Sequence, residues 1–275
     1  MTSGAASRRK RLLVTTSRSL LLLDPHSGEQ DTVHSGKGLY YGIDVGPHDV
    51  LVAARNRMVS SEVPREHERA EILVFSRELT LTDSMTAPFP MRDVHQLRRI
   101  GERLYVTCSF DNFVAVHQAG EWTRWYPLGR NLDRTGDVNH FNTIHPIGET
   151  IGVVAHNFGP SEILLFEEAS LNLLNRLPLG QQAHDLWMEE DALFLCSSAE
   201  GSLRSTRGHE VRTGKFPRGV CRSDGVTYVG LSEIAERGMR DLTRGEIVAF
   251  DASWSELRRY DLGEVGLVLD INTLE

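Results

Sequence analysis

The chain has 275 residues, 40% hydrophobic and 25% charged, a globular balance that excludes disorder as its dominant state. Thirty Lys and Arg stand against 38 Asp and Glu, and the net charge of -8 offers no footprint for nucleic acid or an anionic membrane. Cys108, Cys196 and Cys221 are odd in number and form no CxxC pair, which argues against a disulfide framework or structural zinc and for a reducing cytoplasm.

Residues 1–10 are small and basic and read as a flexible segment, because no apolar run of signal-peptide length follows them. From there to the C-terminus, residues 11–275, one domain is expected. Short apolar runs recur along it: LLVTT (12–16), SLLLL (19–23), VLVAA (50–54), EILVF (71–75), RLYVT (103–107), FVAVH (113–117), EILLF (162–166), ALFLC (192–196), VTYVG (226–230) and EIVAF (246–250). Each is about strand length, is rich in β-branched or aromatic residues and ends in turn formers. The longest uninterrupted stretch, Leu20 to Leu23, is far too short to span a bilayer. So many strands without an intervening helix predict an all-β fold.

A longer period overlies the strands. Polar-x-apolar triplets begin at Tyr41, His95, Asn142, His184 and Arg218, and each is followed nine to eleven residues later by an apolar strand run. Their spacing is that of four-stranded propeller blades. A β-sandwich is the alternative, and the fixed offset favours the propeller. The chain begins with the later strands of a blade and ends with an extra strand, GLVLDINTL (266–274). Placing that strand innermost in the first blade predicts a six-bladed β-propeller, closed by its own C-terminus and free of exposed sheet edges.

The repeat sorts residues by place. Inner-strand starts and second-strand ends emerge on one face, the top. The first set holds Tyr41, His95, Asn142 with His140 two residues before it, His184 and Arg218, with Asp270 near the equivalent place in the closing strand. The second holds Arg55, Asn56, Asp111, Asn112, His156, Asn157, Ser198, Glu200, Ser232 and Glu233. Residues 57–70 and 234–245 form the longest connections and are expected to overhang this face, with 129–139 entering from the same side.

Three imidazoles on one axis suit a divalent metal, so His95, His140 and His184 are candidate ligands, although water can fill such a channel equally well. Arg218 suits a carboxylate or phosphate; its structural alternative is an ion pair with Asp270 or Glu233. His95, His184, Arg218 and Glu233 are the candidate catalytic residues, with Glu233 as base or fourth ligand. Tyr41, Asn142, His156 and Arg218 are the candidate substrate contacts. No GxSxG, P-loop, HExxH or nucleotide fingerprint is present.

The segments DVHQLRRIGERLYVTCS (93–109), NHFNTI (139–144), AHDLWMEEDALFLC (183–196) and FPRGVCRSDGVTYVGLSEIAERG (216–238) resemble an uncharacterised bacterial family of six-bladed propellers with HxL and HxN blade starts and an RGV…YVGLSE segment. The resemblance covers roughly residues 90 to 275. It implies six blades, directs attention to His95, His140, Asn142, His184, Arg218, Ser232 and Glu233, and brings no activity with it. The expectation is a small-molecule enzyme of hydrolase, lyase or isomerase type, acting on a polar or anionic ligand with a divalent metal as possible cofactor. The alternative is a non-catalytic ligand-binding or interaction scaffold.

Overall fold

A computed structural model describes residues 10–130 and 136–275. Most of the N-terminal segment read as flexible, and the middle of the 129–139 connection, lie outside the described residues.

Blade 1 contains β1 (Arg11–Thr16), β2 (Ser19–Leu23) and β3 (Gln30–Ser35). Blade 2 contains β4 (Tyr40–Val45), β5 (Asp49–Ala54), β6 (Glu71–Ser76) and β7 (Leu81–Met85). Blade 3 is β8 (Val94–Ile100), β9 (Arg103–Cys108), β10 (Phe113–Gln118) and β11 (Glu121–Trp125). Blade 4 is β12 (Phe141–Ile147), β13 (Thr150–Ala155), β14 (Pro160–Glu167) and β15 (Leu173–Gln181). Blade 5 is β16 (Ala183–Glu189), β17 (Ala192–Ser197), β18 (Ser202–Ser205) and β19 (Glu210–Arg212). Blade 6 is β20 (Phe216–Ser223), β21 (Val226–Ser232), β22 (Gly245–Phe250) and β23 (Glu256–Gly263). The last strand, β24 (Val268–Leu274), pairs with β1 in antiparallel register, Leu12 opposite Thr273 and Val14 opposite Ile271. Six four-stranded antiparallel sheets result, and their inner strands touch in the closed order β24, β4, β8, β12, β16, β20. The protein is a six-bladed β-propeller closed by its C-terminal strand.

The apolar runs are continuous because each blade is buried on both faces. In β1, Leu13 packs toward blade 2 with Tyr40, Ile43 and Val52, while Leu12 and Val14 pack toward blade 6 with Ile247 and Tyr260. The same two-sided packing fills the other interblade layers, and buried side chains at the contacts contribute about 1.5–3 kcal/mol each. Among the described residues no helix is long and apolar enough to cross a membrane.

Each inner strand breaks register near its top, at Tyr41–Gly42, His95–Gln96, Asn142, Asp185–Leu186, Arg218–Gly219 and Leu269. Such a bulge re-aims side chains, here toward the channel. Glycine is required at two of these places. A Cβ on Gly42 would sit 2.4 Å from the Leu97 nitrogen, and Gly219 has φ +74° with its would-be Cβ 2.9 Å from Asp270 Cα. The amides beyond the bulges are bound by the preceding blade: Ile43 N–H donates to Asp270 (2.8 Å), Ile144 N–H to Gln96 (2.7 Å) and Val220 N–H to Asp185 (2.5 Å). A belt of buried hydrogen bonds thus joins blades that share no β-ladder.

Candidate functional site

The bulged strands present their residues in tiers. The uppermost includes Asp93, His140, Gln182, Phe216 and Leu267; the next holds Tyr41, His95, Asn142, His184, Arg218 and Leu269. The sequence reading put Asp270 near this second tier. The register of β24 shifts it one residue deeper, and Leu269 takes the place instead.

Above the second tier lies a chamber of about 190 Å³, lined by Tyr41, His95, His140, His156, His184 and Arg218 together with Arg55, Arg57, Arg65, Asp93, Arg237 and Arg240. The expected histidines and Arg218 therefore meet on one face although they come from successive blades. Their rings form a chain: Tyr41 to His95 at 4.6 Å between centroids, His95 to His140 at 4.5 Å, His140 to His156 at 4.7 Å and His156 to His184 at 5.1 Å. Arg218 follows, in contact with His184 Nε2 and with Tyr41 beside it.

Hydrogen bonds fix three ring tautomers. His95 Nδ1 lies 2.8 Å from the Asp93 carbonyl, which can only accept, so this nitrogen carries the proton. The Ser109 hydroxyl, 3.0 Å from the same nitrogen, spends its own proton on the Phe141 carbonyl at 2.6 Å. His184 repeats the device: Nδ1 donates to Ser198 Oγ at 2.8 Å, and Ser198 donates to the Pro217 carbonyl at 2.7 Å. His156 is the reverse case. Its Nδ1 accepts the Phe158 N–H at 3.0 Å, so its proton is on Nε2. Burial, then the charge of neighbouring groups, holds His95 and His184 well below the usual imidazole range and pushes His156 down to about 2. All three are neutral at pH 7.

The charged groups divide into paired and unpaired. Arg55 forms a two-pronged ion pair with Glu68 at 2.8 and 2.7 Å and also meets Asp93. Arg65 reaches Asp93 at 2.8 Å. Burial opposes charge on both Arg55 and Asp93, but their mutual attraction outweighs it, raising Arg55 and holding Asp93 well below the carboxylate range. Arg218 differs. It is 8% exposed, and burial lowers its pKa. The expected partners are engaged elsewhere: both Asp270 oxygens accept backbone N–H groups, from Ile43 and Ile271, and Glu233 accepts the Arg244 N–H at 3.1 Å. Among the described residues, Arg218 Nε is buried without a hydrogen-bond partner. The chamber thus carries net positive charge inside an acidic protein.

The metal expectation divides similarly. Among the described residues, the donor group that closes to within 4.8 Å is Asp93, Asp137 and His140. His140 lies a tier above His95 and His184, and His184 Nε2 faces a guanidinium, which leaves those two outside the group. Asp93 is already neutralised by Arg55 and Arg65, and Asp137 accepts from His140 Nδ1. A cation here has to displace guanidinium groups, so the donor set fits one poorly.

Other candidates are engaged elsewhere. Asn142 lies in the narrow channel below the chamber, its amide donating to the Ala183 carbonyl at 2.7 Å. Glu233 is exposed and lines a neighbouring cavity rather than the histidine chamber. Asp111 pairs with Arg92 on an outer cleft. Asn56, Asn112 and Asn157 occupy left-handed turns with φ of 53° to 54°, a backbone need that explains asparagine there. Cys108, Cys196 and Cys221 are free, and burial pushes each thiol up, as expected for non-catalytic cysteines.

Sequence reasoning missed Asp93, Arg65, Arg237 and Arg240. Asp93 carried a signal, since it precedes His95 by two residues as His140 precedes Asn142. The arginines arrive on the two overhanging connections, whose paths no periodicity specifies. Those connections also meet each other: Val59 and Ser60 N–H donate to Asp241 at 3.3 and 2.8 Å.

No family model and no curated protein matches this chain. Among solved structures, a protein of unknown function from Bacteroides caccae aligns with a TM-score of 0.69 at 11% identity, over 97% of this chain and 99% of that one. A chain of a nidogen/laminin complex aligns with a TM-score of 0.65 at 12% identity, over 97% and 98%. At such identities the likeness is one of fold alone.

Proposed function

We propose that the protein is a small-molecule enzyme that holds an organic carboxylate at the top of its channel and carries out proton-transfer chemistry on it, of isomerase or lyase type. The observation that carries this reading is Arg218: a buried guanidinium with no carboxylate partner among the described residues, in a chamber with more arginines than acids. A buried guanidinium without a counter-charge is costly, and an anion beside it offsets that cost. A carboxylate bound two-pronged to Arg218 brings its neighbouring carbon among the imidazoles. In this reading His95 Nε2, the lone-pair nitrogen, accepts a proton, and His156 Nε2–H donates to the oxyanion that develops. The bound negative charge itself raises the depressed histidine pKa values toward the working range.

The test is calorimetric titration and turnover assay against a library of carboxylated metabolites, with wild type and Arg218→Met. Binding by the wild type that is lost in the variant supports the reading. No binding of any carboxylate by a folded wild type overturns it.

A second reading has its own observation. Phe158, Ile234, Met239 and Leu242, on or beside the top-face connections, are each at least half exposed, which suits an interaction scaffold. In that case protein capture at the top face persists in Arg218→Met.

A further inference from the structure

Beside the histidine chamber lies a second cavity of about 200 Å³. The two share Gln182, Phe216, Arg218, Arg240 and Leu267 in their walls, so they are adjoining compartments of one site. Their chemistry differs. The first is walled by imidazoles and guanidinium groups. The second adds Ala199, Ile234 and Ala235 to the shared Phe216 and Leu267, with Glu233 as its carboxylate. Ile234 is 73% exposed although it lines a cavity, an apolar surface with nothing to cover it.

We propose that the ligand is an amphipathic monocarboxylate, with its carboxylate on Arg218 and an unbranched apolar arm of about five carbons in the second cavity. This rests on the carboxylate reading of Arg218 and adds the rest of the molecule. Three observations carry it. Arg218 and Arg240 stand at the junction of the two compartments, so a head held there leaves its arm free to enter either. The arm enters the apolar one, because the polar one offers unpaired donors that hydrocarbon cannot satisfy. The cavity, about 200 Å³, is of a size for a short hydrocarbon arm. Glu233 lines the second cavity and not the first, so a second carboxylate on the arm meets a like charge there and dicarboxylates are rejected.

Isothermal titration with acetate, butanoate, hexanoate, decanoate and adipate at constant ionic strength tests this. Affinity should rise about three- to fourfold per added methylene as far as hexanoate and level off by decanoate. Adipate should bind at least tenfold more weakly than hexanoate. Ala235→Trp, which fills the second cavity, should flatten the series while leaving acetate binding intact. Ile234→Ser, at an exposed position where folding is not at stake, should lower the gain per methylene. Equal affinities from acetate to hexanoate would overturn the apolar arm and leave the carboxylate reading standing. An undiminished chain-length series in both variants would overturn the assignment to this cavity. Failure of the wild type to bind any of these acids overturns the carboxylate reading and this proposal with it.

Discussion

Arg218 donates to Nε2 of His184, the residue at the same position of the preceding blade. A guanidinium has only donors, so His184 has to offer a lone pair there. Its proton therefore sits on Nδ1, where Ser198 accepts it. Protonating His184 would set two cations against each other in a buried place. The pair thus fixes both the tautomer and the neutrality of one histidine.

This geometry predicts the tautomers. In nitrogen-15 spectra at pH 7, His95 and His184 should appear as Nδ1–H forms and His156 as the Nε2–H form. None should titrate in the usual imidazole range, because burial depresses all three. An Nε2–H form of His184, or a midpoint near 6.5, would break the proposed arrangement.

Arg218 predicts a conflict between stability and binding. Replacing it with Met keeps the bulk and removes a buried charge that no carboxylate among the described residues balances, a gain that outweighs the lost hydrogen bond to His184 Nε2. In the absence of ligand, Arg218→Met should unfold at higher denaturant concentration, by about 1–3 kcal/mol. The same variant should lose carboxylate binding. A destabilised variant would show that the guanidinium is a structural partner and not a vacant anion site.

Closure gives a third prediction. The β1–β24 ladder ties the ends of the chain together, and the same strand supplies Asp270 to cap Ile43 N–H and receives a cap from Ser232 at Val268 N–H. Deleting residues 266–275 opens a sheet edge, removes part of the channel wall and leaves a buried donor, Ile43 N–H, and a buried acceptor, Ser232 Oγ, without these partners in the two neighbouring blades. The melting temperature should fall by more than ten degrees, since several contributions of about 1 kcal/mol or more are lost together. A truncated protein melting within two degrees of the full chain would contradict this closure.

The fold could be read because its defining feature is periodic. Tyr41, His95, Asn142, His184 and Arg218 each stand just ahead of an inner residue paired across a hairpin to the next strand, and the structure keeps that offset. The site was half visible for the same reason. At the top of the second strands the repeat reads Ser17, Arg55, Ser109, His156, Ser198 and Ser232. The serines stitch neighbouring strands and blades, while Arg55 and His156 depart from them and enter the chamber. What could not be read was set by pairing across space. Nothing in the sequence shows that Asp93 neutralises Arg55 and Arg65 while Arg218 is left without an acid. Nor does periodicity separate an asparagine chosen for a left-handed turn, such as Asn157, from one chosen for a ligand.

The last prediction concerns the narrow channel beneath the chamber, where Asp185 and Asp270 both lie. Each accepts two backbone N–H groups: Asp185 from Leu186 and Val220, Asp270 from Ile43 and Ile271. Those bonds favour the charged form, but burial acts more strongly in the other direction and raises both carboxyls. The charge of Asp270 raises Asp185 further, to about 7, while Arg98 restrains Asp270 at about 6. The two should titrate as a pair, with carbon-13 carboxyl midpoints two to three units above the usual value of about 3.9. The sign for stability follows. A carboxyl whose folded pKa is raised stabilises the fold fully below the unfolded pKa of about 4 and loses that contribution as pH rises through 6 to 7. The buried histidines act in reverse, since their depressed pKa values give stability above about 6.5 that is lost as pH falls. The two slopes oppose each other in a bulk unfolding curve, so the site-resolved titration is the deciding measurement. Asp270→Asn removes the neighbouring charge and should lower the Asp185 midpoint. An Asp185 midpoint near 4 in the wild type, or one that stays put in Asp270→Asn, would show that the two carboxyls do not share the field of one buried channel.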